Sequence, residues 1–394
     1  MEVDLLDKPQ AQEQGPNSGQ AMVLSGGGAR AAYQVGCLRA LGHEIPHYRP
    51  QILTGVSAGA INAAHLASFR GSWQQAVDTL AELWGNMATS KVYRTDLLSL
   101  MQRASHWGLR FASGGRLGRA DIRGMVDNSP LRRYLSQHLG VAEAVDSAAI
   151  PGIEENIREG LLTALAVIST EYGSGRSVAW VDAADHSSWR STQISIRSTK
   201  LGVAHIMASA ALPLFFPAVG VNGSWHGDGG VRLAAPLSPA MHLGARKILA
   251  VSPRTKPLDQ SHVLQAAEYP SPGQVAGVML NAIFLDLLDY DAMQMKRIND
   301  LVKNTPQAYW NGLRPVDVMV LRPRRDLGEV ARQFDKTLPR AFRFFKGGFA
   351  GKAEPTADAL SMVNFEGAYL KELMSLGEED TRARIDEVRA FLEV

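Results

Sequence analysis

The chain has 394 residues, of which 45% are hydrophobic and 20% are charged, a balance typical of a folded globular protein. This composition excludes a mainly disordered chain. The net charge is only +2, from 41 basic and 39 acidic residues, so no strong overall field attracts nucleic acid. We therefore expect no nucleic-acid partner.

The termini and the cysteine content bear on where the protein works. Cys37 is the one cysteine, so the chain cannot form an internal disulfide. Residues 1–20 are polar and predict a disordered tail rather than a cleaved signal peptide. No apolar run approaches the ~18 residues of a transmembrane helix. These features favour a cytoplasmic protein whose contact with a membrane, if any, is peripheral.

Two strand–turn–helix units follow the predicted tail. Ala21–Leu24 is a short apolar strand, and residues 30–41 predict a helix that ends at Gly42. Gln51–Thr54 is a second short strand, and residues 57–69 predict an alanine-rich helix. Short apolar strands that alternate with helices are typical of a parallel sheet buried on both faces. The pattern predicts an α/β fold.

The later elements are predicted with less regular spacing. They are a helix from Trp73 to Trp84, strands at 161–170 and 176–181 joined by a glycine-containing turn, strands at 247–251 and 316–321, a long helix at 275–302 and a charged amphipathic helix at 378–392. Residues 103–128 are rich in Gly, Arg and Ser and predict an irregular excursion, for which a mobile lid is one interpretation. No internal repeat or linker requires a second domain.

A nucleophile-elbow pattern, Gly55-Val56-Ser57-Ala58-Gly59, stands where the second strand ends and its helix begins. A serine at such a turn has a strained backbone, and small neighbours let the strand and the helix approach closely. Gly55 and Gly59 meet that need, and the positive end of the helix lies beside Ser57. Ser57 is therefore predicted to be a catalytic nucleophile. The alternative is a tight capping turn in which its hydroxyl bonds backbone amides.

The loop Gly26-Gly27-Gly28-Ala29-Arg30 joins the first strand to its helix. Three glycines free the backbone to aim amide N–H groups at one point, where a phosphate or an oxyanion could bind. Gly26, Gly28 and Ala31 also fit a dinucleotide fingerprint, but the next strand does not end in the acidic residue expected about 20 positions on. An oxyanion hole is preferred over a structural turn. Arg30 is predicted either to bind an anion or to pair with an acidic side chain.

A third motif, His226-Gly227-Asp228-Gly229-Gly230, follows a predicted hairpin that turns at Asn222-Gly223. An aspartate between glycines predicts an exposed tight turn. Taken alone, Asp228 is more often a turn residue than a catalyst.

The order of these motifs resembles that of the patatin-like phospholipase family. The glycine loop, the elbow around Ser57 and Asp228-Gly229-Gly230 occur in that family's order. The segment Ala208–Pro217 is similar to the stretch that precedes the family's Asp-Gly-Gly. The resemblance covers residues 21–252 and continues more weakly through the strand at 316–321. Each motif alone is modest evidence, whereas four in order are specific.

The resemblance implies a lipid acyl hydrolase with a Ser–Asp dyad. Ser57 matches the nucleophile and Asp228 the general base, which the turn through Gly229 and Gly230 supports. The amides of Gly26, Gly27 and Gly28 match the oxyanion hole, which Arg30 closes. The substrate would be a lipid acyl ester, and no metal or cofactor is implied. Relatives often carry an asparagine where this chain has Ala234, which would remove a side-chain hydrogen bond from the turn.

The resemblance also implies a three-layer α/β/α sandwich with a mainly parallel central sheet and a helical C-terminal extension. We expect the catalytic domain to cover residues 21–330 and the extension, residues 331–394, to pack on it. No oligomeric state is predicted.

The sequence leaves two functional alternatives open. One is a carboxylesterase with a histidine-containing triad, for which His226, His242 and His262 are the available histidines. The other is a non-catalytic module that binds a nucleotide or a phospholipid. The segment Lys336–Phe349 interleaves cations with aromatic residues and predicts either an amphipathic helix on the core or contact with an anionic membrane surface.

Overall fold

A computed structural model of the chain describes residues 19–94, 124–142, 148–184, 194–255, 287–310, 313–334 and 361–393, together with 105, 109 and 112–114. The segment Lys336–Phe349, His262 and most of 103–128 lie outside the described residues, as do residues 1–18 of the predicted tail. None of the helices in the described ranges combines the length and apolar character needed to cross a membrane.

Nine strands in the described residues form one sheet. They are β1 (Gln20–Leu24), β2 (Ile52–Val56), β3 (Ala164–Glu171), β4 (Arg176–Ala183), β5 (Ile194–Ser198), β6 (Val219–Val221), β7 (Ser224–Asp228), β8 (Lys247–Val251) and β9 (Asp317–Leu321). The main order is β5-β4-β3-β2-β1-β8-β9. Its consecutive strands β3, β2, β1, β8 and β9 pair in parallel. The hairpin of β6 and β7 joins β3 in antiparallel pairing.

The helices cover both faces of this sheet. They are α1 (Ala31–Glu44), α2 (Ala58–Ser68), α3 (Trp73–Gly85), α4 (Thr89–Val92), α5 (Ser129–His138), α6 (Ile153–Arg158), α7 (Val203–Ser209), α8 (Ser238–His242), α9 (Leu287–Lys303), α10 (Leu327–Gln333), α11 (Gly367–Arg382) and α12 (Ile385–Leu392).

Alternation along β1 shows how the layers form. Met22 and Leu24 are buried in a core shared with α1, α2, α3 and α11. Ala21 and Val23 are buried on the opposite face, in a second core with α8 and α9. Successive residues of a strand face opposite sides, so β1 buries every side chain and separates two helical layers. The predicted α/β/α sandwich with C-terminal helices is confirmed.

Several element predictions are confirmed by position. The two opening strand–helix units, the hairpin at β6 and β7, and the strands β8 and β9 lie where the sequence indicated. The helix predicted from Trp73 to Trp84 is α3, and both tryptophans are buried in the core, as is Cys37. Of the long helix predicted at 275–302, only α9 falls within the described residues.

Three predicted boundaries were wrong. Helix α1 does not stop at Gly42 but continues to Glu44, because Gly42 packs directly on Val77 of α3 and serves as a contact rather than a terminator. Strand β1 begins at Gln20, inside the segment predicted as a tail, and this residue is buried. The single helix predicted at 378–392 is the end of α11 followed by α12.

The C-terminal helix α11 packs closely along α1. A Cβ at Gly36 would overlap the Met374 carbonyl oxygen, and one at Gly377 would overlap the Tyr33 carbonyl oxygen. Two facing glycines therefore let the helix backbones touch. The Tyr33 hydroxyl donates a hydrogen bond of 3.1 Å to the buried Asp380 carboxylate at the same crossing.

Candidate active site

Strand β3 brings Ser57 and Asp228 to adjacent positions. Its residues Ala164–Ile168 pair with β2, which ends opposite Ile168. Its next residue, Ser169, pairs with Asp228 at the end of β7. The other edge of β3 is occupied by β4, so β2 and β7 share one edge and meet end to end. The nucleophile candidate and the carboxylate therefore lie beside neighbouring residues of one strand.

Ser57 has the strained backbone that the elbow pattern predicts. Its backbone φ of 56° and ψ of −129° lie in a region that residues other than glycine rarely adopt. A Cβ at Gly59 would overlap the Leu24 carbonyl oxygen, and one at Gly55 would come within 2.6 Å of Ala60 Cα. Both glycines are therefore required for the close approach of strands and helix. The turn presents Ser57 at the carboxyl end of the sheet and at the first turn of α2.

A residue that the sequence reasoning did not assign to the site holds this turn in place. The Ser57 N–H donates to the Ser209 hydroxyl over 2.9 Å, and that hydroxyl donates to the Ile168 carbonyl over 2.6 Å. Ser209 is fully buried at the end of α7. The signal was present in the segment Ala208–Pro217, which the family resemblance marked without giving Ser209 a role.

The glycine loop lies against the serine with its amides open. Gly26 is so close to Ser57 that a Cβ on it would be 3.3 Å from the Ser57 Cβ. Gly28 has a φ of +57°, which favours glycine, and it begins a single turn of 3-10 helix that leads into α1. Among the described residues, the N–H groups of Gly26, Gly27 and Gly28 find no acceptor. Three donors without partners beside a strained serine fit an oxyanion hole.

Asp228 is fully buried rather than exposed at a turn, so the prediction of an exposed aspartate was wrong. Its backbone is fixed on both sides, because its N–H donates to the Ala211 carbonyl and its carbonyl accepts from the Thr170 hydroxyl. Position 229 must be glycine, because a Cβ there would overlap the Ile168 carbonyl oxygen. The sheet pairing of β7, which the turn motif did not reveal, buries the aspartate.

The two oxygens of the Asp228 carboxylate differ in their hydrogen bonding. Oδ1 accepts a 2.9 Å hydrogen bond from the Gly230 N–H, whereas Oδ2 is buried with no hydrogen-bond partner in the described part of the chain. Burial raises the pKa of Asp228 to about 7, against smaller opposing effects of the nearby Ser57 hydroxyl and the Gly230 N–H. A carboxylate with an open oxygen and a raised pKa is suited to accept a proton near neutral pH.

Arg30 ties the glycine loop to the C-terminal part of the chain. It is buried, and its Nε donates to the Ser361 hydroxyl over 2.6 Å. Next to that contact, a Cβ on Gly28 would overlap the Met362 carbonyl oxygen. The backbone of Met362 thus covers the side of Gly28 from which a dinucleotide pyrophosphate would have to approach.

The family model for patatin-like phospholipases matches residues 22–241, more than half of the chain. The chain belongs to this family. The resemblance that the sequence motifs gave is confirmed, and family membership supports a lipid acyl hydrolase activity. No curated protein sequence matches the chain.

Solved structures with low sequence identity are similar to this patatin-like chain. VipD from Legionella pneumophila is 15% identical with a TM-score of 0.33, and the match covers 90% of this chain and 66% of that one. Human GIVD cytosolic phospholipase A2, in complex with methyl gamma-linolenyl fluorophosphonate, is 12% identical with a TM-score of 0.47, covering 98% of this chain and 60% of that one. This chain therefore spans less than two thirds of either protein.

An apolar cavity of about 30 Å³ reaches the patatin-like site. Gly28 and Ser57 form part of its wall, and the rest is apolar: Ala58, Ile61, Trp84, Met87, Val92, Leu131, Ala210, Leu212, Phe216, Met362, Val363 and Phe365. The last three come from the C-terminal segment, which sequence reasoning did not place at the site. The Tyr93 hydroxyl donates to the Val363 carbonyl over 2.6 Å and helps to fix this wall.

The hydrogen bonds of His226, two residues before Asp228, and of His205 do not involve Ser57. His226 is buried, and its Nδ1 lies 3.1 Å from the Ser169 hydroxyl, which also accepts from the Trp180 indole. His205 Nδ1 accepts from the Gly202 N–H. Neither arrangement links a histidine to Ser57, as a triad would require. Within the described ranges, no cluster of three or more His, Cys, Asp or Glu side chains is placed to hold a metal ion.

Proposed function

We propose that the protein hydrolyses fatty-acyl esters of lipids, with Ser57 as nucleophile, Asp228 as general base and the amides of Gly26, Gly27 and Gly28 as oxyanion hole. The observation that carries the proposal is the register of β3, which sets the strained serine and the buried carboxylate at adjacent positions. Open amide donors lie on the other side of the serine. These are the three functions that acyl transfer requires.

In the first half-reaction, the Ser57 hydroxyl attacks the ester carbonyl carbon and gives its proton to Asp228 Oδ2. The carbonyl oxygen becomes an oxyanion, which the glycine amides stabilise. The bond to the alcohol then breaks, and the leaving oxygen takes the proton from Asp228. Fixed amide donors typically contribute about 3–4 kcal/mol each to such a transition state.

In the second half-reaction, water attacks the acyl-enzyme and transfers a proton to Asp228. The bond between Ser57 Oγ and the acyl carbon breaks, the fatty acid leaves, and the proton returns to Ser57. Every proton is carried by the same carboxylate, so the cycle needs no histidine. The raised pKa of Asp228 brings its basicity towards that of imidazole.

The apolar cavity supports an acyl rather than a polar substrate. Ser57 forms part of the cavity wall. An acyl chain that entered the cavity would therefore have its ester carbonyl beside the nucleophile. Two methionines, Met87 and Met362, stand in the wall, and their flexible side chains would let the cavity adapt to a fatty acyl chain.

The test combines covalent labelling with hydrolysis. A fluorophosphonate should label the protein once, and peptide mapping should place the adduct on Ser57. Ser57→Ala should lose both the label and fatty-acid release from phosphatidylcholine vesicles and lysophospholipid micelles. An adduct on another residue, or hydrolysis that survives Ser57→Ala, would refute the assignment. Loss of activity in one well-folded histidine variant would instead favour the triad.

A further inference from the structure

A chain of buried amide hydrogen bonds runs from the cavity wall to the glycine loop. The Trp84 indole N–H donates to Asn62 Oδ1 over 2.7 Å, and Asn62 Nδ2 donates to Gln34 Oε1 over 3.1 Å. Gln34 Nε2 then donates to the Ser25 carbonyl over 2.7 Å. All three side chains are fully buried.

Gln34 reaches a defined point of the backbone. Its Nε2 also donates to the Val251 carbonyl over 3.2 Å, so the amide group bridges the ends of β1 and β8. Both of its hydrogens and its oxygen are engaged, which fixes the orientation of the group. A buried amide with every partner satisfied is a rigid support.

The Ser25 carbonyl belongs to the same planar peptide unit as the Gly26 N–H. In a trans peptide the C=O and the N–H point in opposite directions. Gln34 therefore fixes the direction of the Gly26 N–H by holding the carbonyl on the other end of the unit. The hydrogen bond to the carbonyl also polarises the peptide, which makes its N–H a stronger donor.

A glycine loop needs such a support. Gly26, Gly27 and Gly28 have no side chains to pack, and the backbone freedom of glycine would let the loop adopt many orientations. A donor stabilises an oxyanion only when it already points at the position where the charge develops. The side chains beneath the loop must therefore supply the order that the glycines lack.

We infer that Gln34 is a positioning residue that aims the Gly26 N–H at the oxyanion, and that Asn62 holds Gln34 in the required orientation. The inference rests on the proposed function and assigns a further residue to the same site. Neither side chain touches the substrate, so both act through the backbone of the loop. Trp84 couples this support to the wall of the cavity.

The test replaces each amide by an apolar side chain of similar size. Gln34→Met should lower kcat for a p-nitrophenyl ester by about 10- to 100-fold and change KM by no more than about twofold. This decrease should not exceed that caused by removing a whole oxyanion donor, because the Gly26 N–H is misaimed rather than lost. Asn62→Leu should produce a smaller decrease, because Gln34 keeps its own bonds to the backbone. The double variant should be no worse than Gln34→Met alone, because both changes act through one group.

A second readout separates positioning from general destabilisation. A trifluoromethyl ketone forms a tetrahedral oxyanion adduct with a serine nucleophile. Its inhibition constant should increase in Gln34→Met in proportion to the decrease in kcat/KM. Rates are expressed per site that a fluorophosphonate labels at completion, so unfolded protein does not contribute.

Asn299→Leu is the matched control. Asn299 is also buried, and its amide exchanges two hydrogen bonds with the Val316 backbone in the second core, on the other face of the sheet. It should lose thermal stability but keep its kcat per labelled site. Gln34→Met with kcat per labelled site and ketone affinity like the wild type would overturn the inference. Wild-type protein without Ser57-dependent hydrolysis would instead overturn the proposed function.

Discussion

At the residue scale, Ser57 and Asp228 are both held in states that cost stability. The positive φ of Ser57 costs about 1–3 kcal/mol, and burial of a carboxylate with one oxygen unpaired opposes its ionisation. Packing and pairing on β3 hold both residues in place against these costs. Such costs are common where chemistry rather than stability has shaped the arrangement.

The pH dependence of hydrolysis should report the ionisation of Asp228. Only the ionised carboxylate can accept the Ser57 proton, and its pKa is raised to about 7. We expect kcat/KM for a neutral ester to rise about tenfold per pH unit below pH 7 and to level off above it. A midpoint close to pH 4 would show that the base is a solvated carboxylate rather than the buried one.

The same pKa predicts how a neutral variant affects stability. Folding raises the pKa of Asp228 from 3.8 to about 7. The contribution of its protonated carboxyl to the free energy of unfolding is therefore fully present below pH 3.8 and is lost as the pH rises through 7. Asp228→Asn keeps an oxygen for the Gly230 N–H and avoids the buried charge. It should be inactive yet more stable than wild type at pH 8, by up to about 4 kcal/mol.

Urea unfolding at pH 4, 6 and 8 measures this difference. The advantage of Asp228→Asn should grow with pH and should be smallest at pH 4, where the folded wild-type carboxyl is protonated and the unfolded one is only partly ionised. An advantage that does not change with pH would mean that ionisation of Asp228 is not its cause.

At the element scale, the start of α2 is fitted against the end of β1 through Gly59. Gly59→Ala should lower the free energy of unfolding and displace the glycine loop, because the new methyl group overlaps the Leu24 carbonyl and lies 2.6 Å from the Ser25 carbonyl oxygen. Overpacking of this kind costs about 1–3 kcal/mol. Chemical denaturation and kcat measure the two effects. Gly85→Ala is the control, because Gly85 ends α3 with open space around it and should gain about 0.4–1 kcal/mol.

The tie between α7, β3 and the elbow gives a second prediction at this scale. Ser209→Ala leaves the Ser57 N–H and the Ile168 carbonyl without their partner, which should cost about 1–3 kcal/mol and lower kcat. Ser177→Ala removes a buried hydroxyl with no partner among the described residues and should change stability and kcat little. Equal effects of the two variants would argue against a special role for Ser209.

Local sequence patterns predicted the elements well, and contacts between distant elements poorly. The glycines around Ser57 and the short apolar strands carry their own signals, so the elbow and the sheet could be predicted. Burial of Asp228 depends on the pairing of β7 with β3, and the role of Gly42 depends on Val77. A turn motif or a single glycine does not indicate which distant residue will pack against it.

At the scale of the whole molecule, the C-terminal helices share the main core with the residues around the site. Tyr369, Leu370 and Leu373 of α11 are fully buried in the same cluster as Met22 and Leu24 of β1. The segment before α11 forms a wall of the cavity through Met362, Val363 and Phe365. The sequence predicted that an extension would pack on the domain but gave no indication of which residues reach the site.

Because one core spans both parts, α11 should unfold together with the central sheet. Hydrogen exchange followed by mass spectrometry should show amides of α11 opening with a free energy close to that of β1 and β2, the global value. Gly377→Leu, which forces α11 away from Tyr33, should lower the protection of β1 and α11 by equal amounts. If α11 exchanged orders of magnitude faster than β1 in the wild type, the C-terminal helices would be an independently opening layer, and the cavity wall they anchor would open with them.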